Sequence, residues 1–68
     1  MKISARNILA GTVTDIKLGT TTAHVTLDVN GSKITASITN ESVAELGLKV
    51  GSPAKAVIKA SSVLIAVD

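Results

Sequence analysis

Hydrophobic and polar positions alternate with a period close to two over most of the chain, which is the spacing of strands. Ile8 to Leu18 is rich in β-branched residues and predicts a first strand that stops at Gly19. Thr21, Ala23, Val25, Leu27 and Val29 then alternate with Thr22, His24, Thr26 and Asp28, giving a strand with one apolar and one polar face. Asn30-Gly31 is the pair that a two-residue hairpin turn needs, because both positions must take positive φ. A third strand follows, with Ile34, Ala36 and Ile38 on one face and Lys33, Thr35, Ser37 and Thr39 on the other. At Thr39 the period changes. In TNESVAELG, Val43 and Leu46 are three apart and Gly47 can end a helix in the left-handed region. Thr39 or Asn40 can cap its start, with Glu41 in the first turn, so a helix of about two turns is expected. Gly51-Ser52-Pro53 marks a turn. A fourth strand runs from Ala54 to Lys59, Ala60-Ser61-Ser62 interrupts the pattern, and a fifth strand runs from Val63 to Val67. The order β-β-β-α-β-β describes one domain, residues 1–68, all-β with one short helix. It matches an OB-like five-stranded barrel whose helix plugs the gap between the third and fourth strands.

Composition adds a constraint on stability. Hydrophobic residues are 46% of the 68, yet there is no Phe, Tyr or Trp, so the core must come from Val, Ile, Leu and Ala. A chain this short buries only about 60% of its unfolded surface. Domains of this size usually add a disulfide, a metal or an oligomer interface. There is no cysteine, and the single His24 cannot hold a structural metal alone, so oligomerisation is the expected stabiliser. The lack of cysteine fits the cytoplasm. MKISARN has no apolar signal core, and no apolar run approaches the ~20 residues that span a bilayer. A cytoplasmic protein without membrane contact is therefore expected. The net charge of +2 biases the surface towards small anions and is too weak to imply a polyanion.

Catalytic chemistry finds little support. There is no Cys, no His pair and no carboxylate pair in an apolar setting. A Ser–Lys hydrolase built on Lys59 would lack an oxyanion loop. His24, alone on a polar strand face, reads as solvated. Single-stranded nucleic acid needs flat side chains to stack on, and the chain has none. Lys2, Arg6, Lys17, Lys33, Lys49, Lys55 and Lys59 are dispersed, without a block. What remains is a set of donors at element boundaries: Ser4 and Arg6 before the first strand, Thr39 and Ser42 at the helix start, and Lys59, Ala60 and Ser61 after the fourth strand. Free N–H groups, hydroxyls and full positive charges suit a small dianion. A plainer reading fits the same spacing: Thr39 caps the helix, Ser42 is a first-turn residue, Lys59 is solvated and Arg6 makes a surface ion pair.

Three segments bear on this choice. "SARN" followed by "LAGTV", then "ITNESVAELGL", then "VIKASSVLIA", resemble in order and spacing the Mop or molbindin family of molybdate-binding proteins, from Ile3 to Ala66. The resemblance implies an OB-like barrel that assembles as a hexamer, a trimer of dimers, and binds molybdate or tungstate between subunits. It places the oxyanion site on Ser4, Arg6, Thr39, Ser42, Lys59, Ala60 and Ser61, with Ala60 offering only backbone N–H and with Ala5 and Asn7 either offering backbone N–H as well or only shaping the turn. It also implies a second, axial type of site, for which Gly19, Thr20 and Thr21 are the candidates. No helix-turn-helix segment or ATPase domain is present, so a stand-alone binder for molybdenum storage or homeostasis is expected, without catalysis or a catalytic cofactor. The competing expectation is an OB-like module that binds another protein or nucleic acid.

An all-donor pocket would also discriminate. Molybdate is an unprotonated tetrahedral dianion near neutral pH. Hydrogen phosphate carries a proton that needs an acceptor, and leaving it unpaired costs about 1–3 kcal/mol. Sulfate lacks that proton and must be rejected by its shorter bonds, while tungstate is close to molybdate in size.

Overall fold

The computed structural model describes residues 1–68 as four strands, one α-helix and one 3₁₀ turn: β1 (Asn7–Leu18), β2 (Thr22–Val29), β3 (Ser32–Thr39), α1 (Asn40–Glu45), β4 (Pro53–Ile58) and the turn Ala60–Ser62. All pairings are antiparallel, and the sheet order is β3-β2-β1-β4. The architecture is mostly β with one short helix, in the OB-like arrangement that the pattern predicts.

β1 organises the sheet because it has two neighbours along different halves of its length. Asn7 to Thr12 pair with β4, in register Asn7↔Ile58 through Thr12↔Pro53. Thr12 to Leu18 pair with β2, ending at Leu18↔Ala23. A register shift between Val13 and Asp15 marks a β-bulge at the change of partner, where extra twist lets one strand serve both. Gly11 stands beside it. A Cβ there would run into the backbone carbonyl of Asp28, so only glycine allows this close approach.

The β2–β3 hairpin follows from its turn. Asn30 has φ 49° and Gly31 φ 91°, and the strands pair from Val29↔Ser32 to Thr22↔Thr39. The helix is shorter than the spacing predicts, six residues, because both ends are closed early. Thr39 is the cap: its hydroxyl oxygen accepts from Ser42 N–H at 3.0 Å. At the other end Gly47 N–H donates to Ala44 and Leu48 N–H to Val43, with Gly47 at φ 63°. That is the Schellman pattern, which satisfies the last carbonyls and stops the helix. The buried core consists of Val13, Ala23, Val25, Leu27 and Val43, so α1 seals one end of the sheet through Val43.

The expected fifth strand does not join the sheet. After β4 the chain forms the 3₁₀ turn, with Ser62 N–H on Lys59 and Val63 N–H on Ala60. Those bonds take the place of a tight hairpin that would return the chain beside β4. Val63 to Asp68 leave without a ladder, and Leu64, Ile65 and Val67 are about nine-tenths exposed. The barrel therefore stays open between the free edges of β3 and β4.

Candidate functional site

The register of β1 on β4 brings the two ends of the chain together. Asn7 lies opposite Ile58, and the Asn7 side chain reinforces the junction by donating to the Ile58 carbonyl at 3.3 Å. The residues just outside this pair are Ser4, Ala5 and Arg6 on one side and Lys59, Ala60 and Ser61 on the other. Together with Ile3 and Val57 they line one open pocket of about 630 Å³. Residues more than fifty positions apart thus share a wall, while Asn7 itself is held in the ladder.

The chemistry of this pocket is one-sided. Two full positive charges, Arg6 and Lys59, face it with the hydroxyls of Ser4 and Ser61, and no carboxylate is among the lining residues. The ion pair expected of Arg6 on the plainer reading is absent. The one ion pair in the structure joins Lys33 to Asp28 at 3.9 Å, on the hairpin. Cations without a local counter-charge, beside hydroxyl donors, make a pocket that favours an anion.

Thr39 and Ser42 do not line this pocket. Thr39 pairs with Thr22, beyond the Leu18 end of β1, whereas Arg6 precedes the Asn7 end. Eleven residue steps separate those ends, a span of up to ~36 Å along a strand at ~3.3 Å per residue. The two halves of the expected site therefore sit at opposite ends of one chain. At the helix start, Thr39 donates its hydroxyl proton to Ser42 Oγ at 2.8 Å while accepting from Ser42 N–H. The Ser42 hydroxyl then keeps its own proton free to donate outwards. Backbone donors are scarcer here than a free helix end would offer, since Asn40 N–H is bonded to Thr21 and Ser42 N–H to Thr39.

Gly19, Thr20 and Thr21 lie in the β1–β2 turn against this helix start. The Asn40 side chain donates to the carbonyls of Gly19 at 3.0 Å and Thr20 at 3.3 Å, and its Oδ1 is buried without a partner. Asn40 was legible in the sequence only as an alternative cap. Its role as the tie between helix and turn depends on a contact twenty residues away, which local spacing does not reveal.

The model of the TOBE domain matches residues 3–65, nearly the whole chain. The chain belongs to this family. Within it, this TOBE domain is of the Mop kind. It is 50% identical over 66 residues to molybdenum-pterin-binding protein 1 of Clostridium pasteurianum, covering 96% of this chain and 97% of that one. It superposes on the molybdate-binding protein from Sporomusa ovata with a TM-score of 0.93 at 41% identity, over 97% and 98% of the two chains. It also superposes on ModG, described as a cytoplasmic molybdate-binding protein and solved with molybdate bound, with a TM-score of 0.84 at 56% identity. That match covers 88% of this chain and 43% of ModG. No helix of this TOBE domain is long and apolar enough to cross a membrane.

Proposed function

We propose that this chain binds molybdate or tungstate for molybdenum storage or homeostasis in the cytoplasm, as a binding protein without catalysis. The observation that carries the proposal is the pocket where Arg6 and Lys59 converge with Ser4 and Ser61 and no carboxylate opposes them. Relatives described as molybdate-binding support the choice of anion. Ser4, Arg6, Lys59, Ala60 and Ser61 form one half of the oxyanion site, with Ala5 and Asn7 shaping its backbone. The Thr39–Ser42 pair of a neighbouring copy forms the other half, because within one chain the two halves lie at opposite ends of β1. Such sharing requires a homo-oligomer, and a hexamer arranged as a trimer of dimers would meet it. Gly19, Thr20 and Thr21 are the candidates for a second, axial site, to which Asn40 would contribute the rigidity of the turn.

Competitive calorimetry with molybdate, tungstate, sulfate and phosphate tests the reading. Molybdate and tungstate should bind within about tenfold of each other, ~1.4 kcal/mol. Sulfate should be weaker than both, and phosphate weaker still near pH 7, because the lining has no carboxylate to take its proton and any hydroxyl that accepts it gives up part of its role as a donor to the anion. Phosphate binding as tightly as molybdate would refute an all-donor site.

A further inference from the structure

The β1–β2 turn divides its backbone groups one-sidedly. The carbonyls of Gly19, Thr20, Thr21 and Thr22 are all bonded within the chain. Asn40 takes three of them: its backbone N–H donates to Thr21 at 2.9 Å, and its side-chain Nδ2 donates to Gly19 at 3.0 Å and to Thr20 at 3.3 Å. The Thr22 carbonyl accepts from Gly19 N–H at 2.8 Å, which closes the turn so tightly that a Cβ on Gly19 would strike it. The N–H groups of Thr20 and Thr21, by contrast, have no backbone acceptor, and both residues are exposed with their hydroxyls beside those amides. The acceptors of the turn thus face Asn40, and its donors are left for the surface.

Stability alone does not account for an asparagine at this position. Its Oδ1 is buried without a partner, and an unpaired buried acceptor destabilises a fold. The helix start is already capped, by Thr39. What Asn40 supplies is an NH₂ group, whose two protons let one nitrogen bridge two carbonyls. We infer that Asn40 is a positioning residue that sets the anion selectivity of the Gly19–Thr21 turn. By drawing the carbonyls inward it leaves donors alone on the outer surface, and donors alone favour an unprotonated oxyanion. A carbonyl released from Nδ2 would offer its lone pairs to that surface. There it would repel a dianion such as molybdate and accept the proton of hydrogen phosphate. Asn40 touches no anion in this role and acts only through the turn. The role rests on the reading of Gly19, Thr20 and Thr21 as an oxyanion site in the proposed function.

Titration of the ¹⁵N-labelled full chain in its native assembly, followed by NMR, tests this role. Molybdate, tungstate and phosphate are added separately, and the amides of Thr20 and Thr21 are read apart from those of Arg6 and Ser61 in the pocket. In the wild type, Thr20 and Thr21 should respond to molybdate and tungstate at lower concentration than to phosphate. Asn40→Ala should reduce that molybdate-to-phosphate preference at Thr20 and Thr21 by about tenfold. Asn40→Asp keeps the size of the side chain and suits the first helical turn, so it serves if the alanine variant does not fold. Its charge opposes both anions, and the preference between them should fall in the same way. Gly11→Ala weakens the fold away from this turn and should leave the preference as in the wild type, which separates selectivity from stability. Wild-type Thr20 and Thr21 amides that stay still while Arg6 and Ser61 respond would overturn the role of Asn40 and leave the pocket intact. No response at either place would overturn both. A preference unchanged in the Asn40 variants, or lost equally in Gly11→Ala, would also overturn it.

Discussion

Arg6 and Lys59 do the same electrostatic work from opposite ends of the chain, and neither is neutralised by a carboxylate. A hydrogen bond to a charged group nets about 1.5–3 kcal/mol. Arg6→Ala and Lys59→Ala should therefore each weaken molybdate binding by about ten- to a hundredfold in calorimetry, with melting in the absence of anion unchanged. Thr39 and Ser42 are not equivalent, although sequence spacing treats them as a pair. Thr39 holds the helix start through its cap, whereas Ser42 Oγ accepts from Thr39 and has a free proton. Thr39→Ala should lose about 1 kcal/mol of stability, which in a domain of this size lowers the melting temperature by about 4–8 °C. Ser42→Ala keeps the cap and should melt like the wild type while binding molybdate more weakly. Equal melting losses for the two variants would mean that the capping roles are misassigned.

At the scale of elements, β1 carries the most demanding geometry, because a single strand must change partners at Gly11 to Asp15. Gly11→Ala places a methyl group against the Asp28 carbonyl, and backbone cannot rotate aside as a side chain would. Overpacking of this kind costs about 1–3 kcal/mol. A drop in melting temperature of more than ~4 °C is expected, and an unchanged melt would show that the β1–β2 crossing can relax. This requirement was hidden in the sequence, where Gly11 looks like an unremarkable member of a long strand. The hairpin at Asn30–Gly31 and the stop at Gly47 were legible because each is decided within four residues by backbone sterics, and the helix start was legible to within Thr39 or Asn40 because its cap is a local side-chain hydrogen bond. The tail was misread for the opposite reason. Alternation and β-branching report that Val63 to Val67 can be a strand, but whether they pair depends on an edge that local sequence does not contain. The pocket was legible in a similar split. Arg6 and Lys59 stand out as boundary residues, and neighbouring first and last strands of a small barrel let them be expected on one wall, while the register Asn7↔Ile58 is what fixes the pairing and leaves Thr39 at the other end.

The proposed shared site joins the pocket at one end of β1 to the hydroxyl donors at the other, which two copies related by a two-fold axis allow and one chain does not. The consequence is complementation between defective chains. Arg6→Glu reverses the charge in one half of the site. Ser42→Asp puts a carboxylate in the other half, at a helix N-terminus where an acidic side chain does not harm the helix, and it leaves the Thr39 cap in place. Each variant alone should bind no molybdate tightly. When the two are unfolded together and reassembled, random pairing joins an intact Arg6 half from one chain to an intact helix start from the other in roughly a quarter of sites. Tight binding should return at about that stoichiometry in calorimetry, with native mass spectrometry confirming that mixed oligomers have formed. Mixed oligomers that remain silent would place the whole site within one chain. That outcome would require the ends of β1 to approach each other across a strand up to ~36 Å long, a rearrangement of the sheet rather than an adjustment of side chains.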